Sequence, residues 1–195
     1  MKVFSKGEAI RFGWTTVIGN LGLFIVAILI VWLMSAFPAI WDSWVVYAVS
    51  WLFAMVVTLG VMRMGLRFVD EERGELVDLF AKIPLIIPYL IASIIVAIIV
   101  MIGFCLLIIP GIYLALRLQF FGWAIVDKEL GPIAAIQESW EITQGSAGNL
   151  FLLWWLLLFV NVAGMLALGI GLLVTSPLTL VAMGYVYRKL ERSTE

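Results

Sequence analysis

Apolar residues in this chain gather in long unbroken blocks, with short polar stretches between them. Six blocks can be delimited, at 19–37, 44–62, 88–109, 111–127, 150–174 and 177–188. A helix crossing a hydrocarbon core of about 30 Å needs roughly 20 residues. A spanning segment in lipid must also satisfy its own backbone, which a helix does. Each block therefore predicts a transmembrane helix. The fourth is short: at 1.5 Å per residue its 17 residues (111–127) reach only about 26 Å, which predicts local bilayer thinning or burial against neighbours. The predicted fold is an all-α integral membrane protein, a single membrane domain over residues 1–195 with six transmembrane helices.

The stretches between blocks carry shorter amphipathic patterns. Ser5-Lys6-Gly7-Glu8 has capping-box spacing, and Ile10, Trp14 and Val17 then share one helical face. Leu76, Phe80 and Ile83 repeat the pattern before the prolines Pro84 and Pro88, which break the helix. Gly131-Pro132 starts a third amphipathic helix that ends near Gly145. These are expected to be interfacial helices on the cytoplasmic side, anchored at headgroup depth by Trp14 and Trp140. Trp41, Trp44 and Tyr47 suit the opposite aromatic belt, the charged run 70–75 reads as a solvated loop, and Pro110-Gly111 reads as a tight hairpin turn. Ala9-Ile10-x-x-x-Trp14 matches Ala135-Ile136-x-x-x-Trp140, and each outer turn holds a proline (Pro38, Pro110, Pro177). The chain thus reads as three parallel units, each an interfacial helix plus a transmembrane hairpin.

Composition removes the soluble alternative. The chain is 64% hydrophobic and 13% charged, against about half and a quarter in soluble domains, too much apolar surface for one core to hide. A net charge of −1 gives no electrostatic case for nucleic acid. Cys105 is alone, so no disulfide framework exists. The basic residues orient the chain. Lys2, Lys6 and Arg11 precede the first block; Arg63, Arg67, Arg73 and Lys82 lie between the second and third. Lys128 lies between the fourth and fifth, and Arg188, Lys189 and Arg192 follow the sixth. The other turns hold none, so the positive-inside rule puts both termini in the cytoplasm. Residues 1–11 are polar and mixed in charge, and are expected to be kept rather than cleaved as a signal.

Few polar groups interrupt the blocks. Arg117 is the one charged residue deep in an apolar segment, with Gln119 nearby and Asn161 in the fifth block. Intramembrane ionisable groups are costly and point to function. The open readings for Arg117 are bonding to Asn161 or helix carbonyls, snorkelling to an interface, or holding an anionic headgroup or substrate, with Gln119 and Asn161 completing an anion or lipid site. Ala163, Ala167 and Gly171 at four-residue spacing, with Gly164 and Gly169 nearby, suit close helix packing within the bundle. The chain has no histidine, no metal-ligand spacing, no Gly-x-Ser-x-Gly elbow and no P-loop. No metal, cofactor or catalytic residue is therefore expected.

The run Pro110-Gly111-Ile112-Tyr113-Leu114-Ala115-Leu116-Arg117, then Ala124-Ile125-Val126-Asp127, then Ala135-Ile136-x-x-Ser139-Trp140-x-x-Thr143-x-Gly145, resembles a prokaryotic multi-pass membrane family of largely unknown function. That family is similar to the membrane domain attached to some glycerophosphodiester phosphodiesterases. The resemblance implies a small protein of the cytoplasmic membrane, in envelope or lipid homeostasis. It does not imply the phosphodiesterase reaction, which belongs to a separate metal-dependent domain that this chain does not contain.

The expected function is non-enzymatic: a lipid-interacting or partner-scaffolding protein of a prokaryotic inner membrane. Membrane lipids are the expected partners, with another membrane protein or a second copy of the chain as further options, and no nucleic acid. The alternative is a small transporter or permease component with its anionic site at Arg117. Reporter fusions after Glu72, Lys128 and Glu195 should all report cytoplasm, and one within 38–43 the outside. One inverted loop would refute the six-span topology.

Overall fold

The computed structural model describes residues 4–40, 43–167 and 171–194, with the backbone alone over 34–40. Every regular element among them is helical. The order is α1 (Lys6–Gly19), α2 (Leu21–Ile40), α3 (Trp44–Val69), two short 3-10 turns (Leu76–Phe80 and Ile83–Leu85), α4 (Ile86–Leu106), α5 (Ile108–Leu118), α6 (Phe121–Lys128), α7 (Pro132–Ile142), α8 (Ala147–Leu166) and α9 (Leu172–Arg192). Local chemistry sets several boundaries. The Ser5 hydroxyl accepts from the Glu8 N–H and caps α1. Pro132 opens α7, where its missing N–H costs nothing.

Among the described residues four stretches are long and apolar enough to cross a membrane: Trp44–Val69, Leu76–Leu106, Ile108–Lys128 and Ala147–Leu166. A fifth exists only if α1 and the start of α2, bent by 91°, count as one broken span. The sixth expected span, within α9, does not qualify. Thr175, Ser176, Pro177, Thr179, two tyrosines and Arg188 dilute its apolar character. The reason is its position: α9 is the inner helix, with Leu178, Val181, Ala182, Gly184, Val186, Tyr187 and Leu190 all buried. A helix shielded by neighbours need not be uniformly apolar. It begins five residues before Pro177, so that proline lies inside it rather than at a turn.

Three helices meet around one indole. Gly65 of α3 and Gly184 of α9 both lie close to the Trp123 ring of α6: an added β-carbon would come to 3.0 Å from it at Gly184, and to 3.3 Å from it and 2.9 Å from Leu180 at Gly65. The short elements pack outside this trio: α1 on α9, the first 3-10 turn on α3, and α7 on α6. Along α1, Glu8 bonds Tyr185, Phe12 stacks on the same ring and Gly13 abuts Leu178, so α1 runs against the direction of α9. The 3-10 turn lies equally close. A side chain at Gly60 would overlap the Leu79 backbone, Leu79 is fully buried, and Phe80 meets Phe53. The sequence pattern reads this turn as an interfacial amphipathic segment, and in the structure it packs against α3.

Two further boundaries and one packing stripe depart from the sequence reading. The α4–α5 reversal occurs at Leu107, whose backbone is extended, and Pro110-Gly111 falls in the first turn of α5. Gly111 still matters there, since its bare α-carbon lies against the Phe104 ring. The fourth block is interrupted after Leu118 and resumes at Phe121. Ala163 and Ala167 are exposed, so they are not the packing stripe. Gly164 against Gly171 and Thr175 makes the close α8–α9 approach, because only glycine lets the two backbones come so near. Trp41 and Gly169 lie outside the described residues.

The charges collect at one end. The Arg188 guanidinium donates to both oxygens of Asp70 (2.6 and 2.9 Å), to both of Asp127 (2.6 and 2.7 Å) and to Glu191 (2.9 Å). It thereby joins the ends of α3, α6 and α9. Lys128 bridges Glu191 at 3.0 Å and Glu138 of α7 at 2.7 Å. Arg67 donates to both oxygens of the buried Asp78 at 2.8 Å, and Arg63 lies 3.6 Å from it. Lys82 pairs with Glu129 at 2.6 Å and holds that carboxyl below its ordinary range. Residues 71–77 are mostly exposed, as a solvated loop should be, while its flanks lend Asp70 and Asp78 to these pairs.

Removing Arg188 would leave three carboxylates facing one another with little water. Arg188→Ala should destabilise the fold by on the order of 3 kcal/mol, as for breaking a largely buried pair. Asp70→Asn, whose partner keeps its other acceptors, should cost about 1 kcal/mol or less. Thermal unfolding in detergent, followed by tryptophan fluorescence, checks the order.

Candidate functional site

The interruption between α5 and α6 leaves backbone groups near Arg117 without helical partners. The α7 helix supplies replacements. The Ser139 hydroxyl donates to the Arg117 carbonyl at 2.9 Å and accepts from the Phe120 N–H at 3.1 Å. Thr143, one turn on, has its hydroxyl 3.0 Å from the same carbonyl and 2.6 Å from the Ser139 carbonyl, the two sharing its one proton. Ser139 and Thr143 are fully buried. The Ser139-Trp140-x-x-Thr143 spacing thus places two hydroxyls on one helical face and the indole beside them.

That indole covers the Arg117 side chain. The guanidinium carbon lies 4.1 Å from the Trp140 ring centroid and 5.9 Å from that of Tyr113. Tyr113 meets Trp140 edge-on, at 6.2 Å and 87°. Arg117 is 3% exposed, and its Nε has no hydrogen-bond partner. A desolvated cation against tryptophan gains about 2 kcal/mol, which offsets part of the cost of burying the charge.

The other proposed members of this site lie elsewhere. At 100° per residue, Gln119 points away from Arg117 around α5. Its amide donates to the Leu116 carbonyl at 3.0 Å, and it lines a groove of about 420 Å³ with Phe104, Ile112, Ala115, Leu116, Phe151, Trp154 and Trp155. Asn161 donates to Thr179 of α9 at 2.7 Å and to the Leu157 carbonyl at 2.8 Å, so it ties α8 to α9. The sequence placed all three at similar depth, but helical phase sends them to different neighbours. Trp14 is half exposed on α1 and takes no part here, although Ala9 and Ala135, its counterpart in the matching motif, are both fully buried.

A second groove, of about 430 Å³, lies on the Arg117 side of α5. Ile99 of α4, Leu114 and Leu118 of α5, and Ile136, Gln137, Trp140 and Glu141 of α7 line it. A smaller cavity of about 160 Å³ sits among the ion pairs, lined by Arg63, Arg67, Asp70, Glu72, Asp127 and Arg188, with Leu66 and Val126. Sequence reading missed this charged cluster. Its signal was the i, i+4 pair Arg63 and Arg67 with carboxylates on the same side of the chain. Among the described residues no cluster of three metal-binding side chains occurs.

Comparison with protein-family models, curated proteins and solved structures finds no match to this chain. Ser139→Ala would remove the side-chain partner of the Phe120 N–H and leave the Arg117 carbonyl to Thr143 in a dry site. It should cost about 2 kcal/mol, within the usual penalty for a buried unsatisfied group. Gln144→Ala, at an exposed position on the turn after α7, should cost almost nothing. Chemical or thermal unfolding of the two variants compares them directly.

Proposed function

We propose that this chain is a non-enzymatic, lipid-interacting protein of a prokaryotic cytoplasmic membrane, crossing it six times with both termini in the cytoplasm. One observation carries the reading. The ion pairs occupy one end of the helices, while the other end exposes Trp44 (81%), Ile109 (80%) and Leu166 (81%). Such an end suits lipid and not water. The side faces of α4 and α8 add further large exposed apolar residues, among them Ile94, Met101, Trp154 and Phe159. The six crossings are α2, α3, α4, α5 with α6, α8, and the shielded α9.

The three-unit reading gains support from the packing order. Each short element rests on the last helix of the unit before it: the 3-10 turn on α3, α7 on α6, and α1 on α9. That order closes on itself, as a parallel threefold arrangement would. The resemblance to the membrane family attached to some glycerophosphodiester phosphodiesterases points the same way, toward lipid homeostasis.

A small transporter or permease component is the second reading, favoured by the unpartnered Nε of Arg117. Against it, the large grooves beside α5 have mostly apolar walls. Native mass spectrometry of the protein from a mild detergent separates the two. The lipid reading expects co-purified phospholipid, still bound in Arg117→Leu at an unchanged melting temperature. Loss of bound anion or lipid in that variant would favour the transporter. A wholly lipid-free protein would refute the leading proposal.

A further inference from the structure

The groove between α4, α5 and α7 differs in kind from the two other cavities of interest. The one beside α8 is apolar almost throughout, which suits any acyl chain and says nothing of a headgroup. In the one among the ion pairs, Arg67 and Arg188 are bonded to carboxylates and Arg63 lies 3.6 Å from Asp78. The α4–α5–α7 groove is amphipathic. Ile99, Leu114 and Leu118 make an apolar wall, and Gln137, Trp140 and Glu141 make a polar rim. Its wall continues onto the outer face of α4, where Ile94, Ile98 and Ile102 are about half exposed. A chain arriving from lipid can therefore slide into it sideways.

The rim decides which lipid fits. Glu138, one turn back on α7, is paired with Lys128. Glu141 is exposed at the groove and has no ion-pair partner among the described residues. A carboxylate beside an apolar acyl-sized groove repels an anionic headgroup and attracts a cationic one. The Trp140 ring is not free to hold that cation, because Arg117 already lies 4.1 Å from its centroid. Gln137 adds an amide whose N–H groups suit phosphate or ester oxygens.

Resting on the lipid-interacting reading above, we propose that this groove binds one phospholipid whose headgroup carries a protonated amine beside its phosphate. The amine pairs with Glu141, the phosphate lies by Gln137, and one acyl chain covers Ile99, Leu114 and Leu118. Arg117 lies against the Trp140 ring, 4.1 Å from its centroid, and does not itself read the headgroup.

The test uses the whole chain, delipidated in a mild detergent. Phosphatidylethanolamine and phosphatidylglycerol of identical acyl chains are added at equal concentration, and bound lipid is counted by native mass spectrometry. The ethanolamine lipid should be retained about fivefold better, the discrimination that a partly exposed ion pair provides. Glu141→Gln should bring the two to parity with no change in melting temperature, and Glu138→Gln should leave the preference in place. Equal retention by the wild type, a preference for the glycerol lipid, or a preference that survives Glu141→Gln would overturn this assignment. These outcomes leave the lipid-interacting reading standing, whereas retention of neither lipid would remove both.

Discussion

The Arg188 guanidinium is the tie on which the helix arrangement depends. It joins the ends of α3, α6 and α9 by five hydrogen bonds to Asp70, Asp127 and Glu191. An arginine can do this because its planar fork presents five donors in fixed directions. Lysine, a single compact cation, could not reach two carboxylates bidentately. Tyr187, next to it, is fully buried and donates to Asp127 at 3.1 Å, so the polar tie continues into the core beside Phe120 and Trp123. Gly65 and Gly184 let α3 and α9 close on the Trp123 ring, and contact with the indole holds them there.

The same division of labour governs Arg117. Its carbonyl and its side chain are served by one helix, α7, through Ser139 and Thr143 on one side and Trp140 on the other. The break after Leu118 would otherwise expose unpaired backbone in a dry setting, which costs as much as a lost hydrogen bond. These bonds reach the backbone of residue 117, while the arginine side chain itself is met by the Trp140 and Tyr113 rings. What remains unexplained by packing is the orphaned Nε, and that atom alone keeps the transporter reading in play.

A consequence for function follows from where polarity sits. Charges that could have lined a water-filled path are spent on one another at one end of the molecule. The grooves left open beside the apolar helices are mostly walled by hydrocarbon. Walls of that kind suit acyl chains, which is the chemistry the lipid-interacting proposal draws on. Where the amphipathic α7 borders a groove, Glu141 and Gln137 add polar side chains to its rim, and the proposed headgroup selectivity rests on them.

The sequence by itself determined the helical class, the apolar stretches now seen as α3, α4 and α8, the Gly131-Pro132 start of α7, and the gathering of basic residues at one side of the chain. These follow from block length, from proline and glycine chemistry and from charge counting, all of which are local. Only the tertiary structure decided that α9 is the inner helix, that Asp70 and Asp127 converge on Arg188, that Ser139 and Thr143 repair a break at Arg117, and that Gln119 and Asn161 belong to other neighbours. Each of these depends on helical phase and on partners distant in the chain, from 18 residues for Asn161 and Thr179 to 118 for Asp70 and Arg188. Hydropathy records how apolar a segment is, but it carries no information about which face of a helix meets which neighbour.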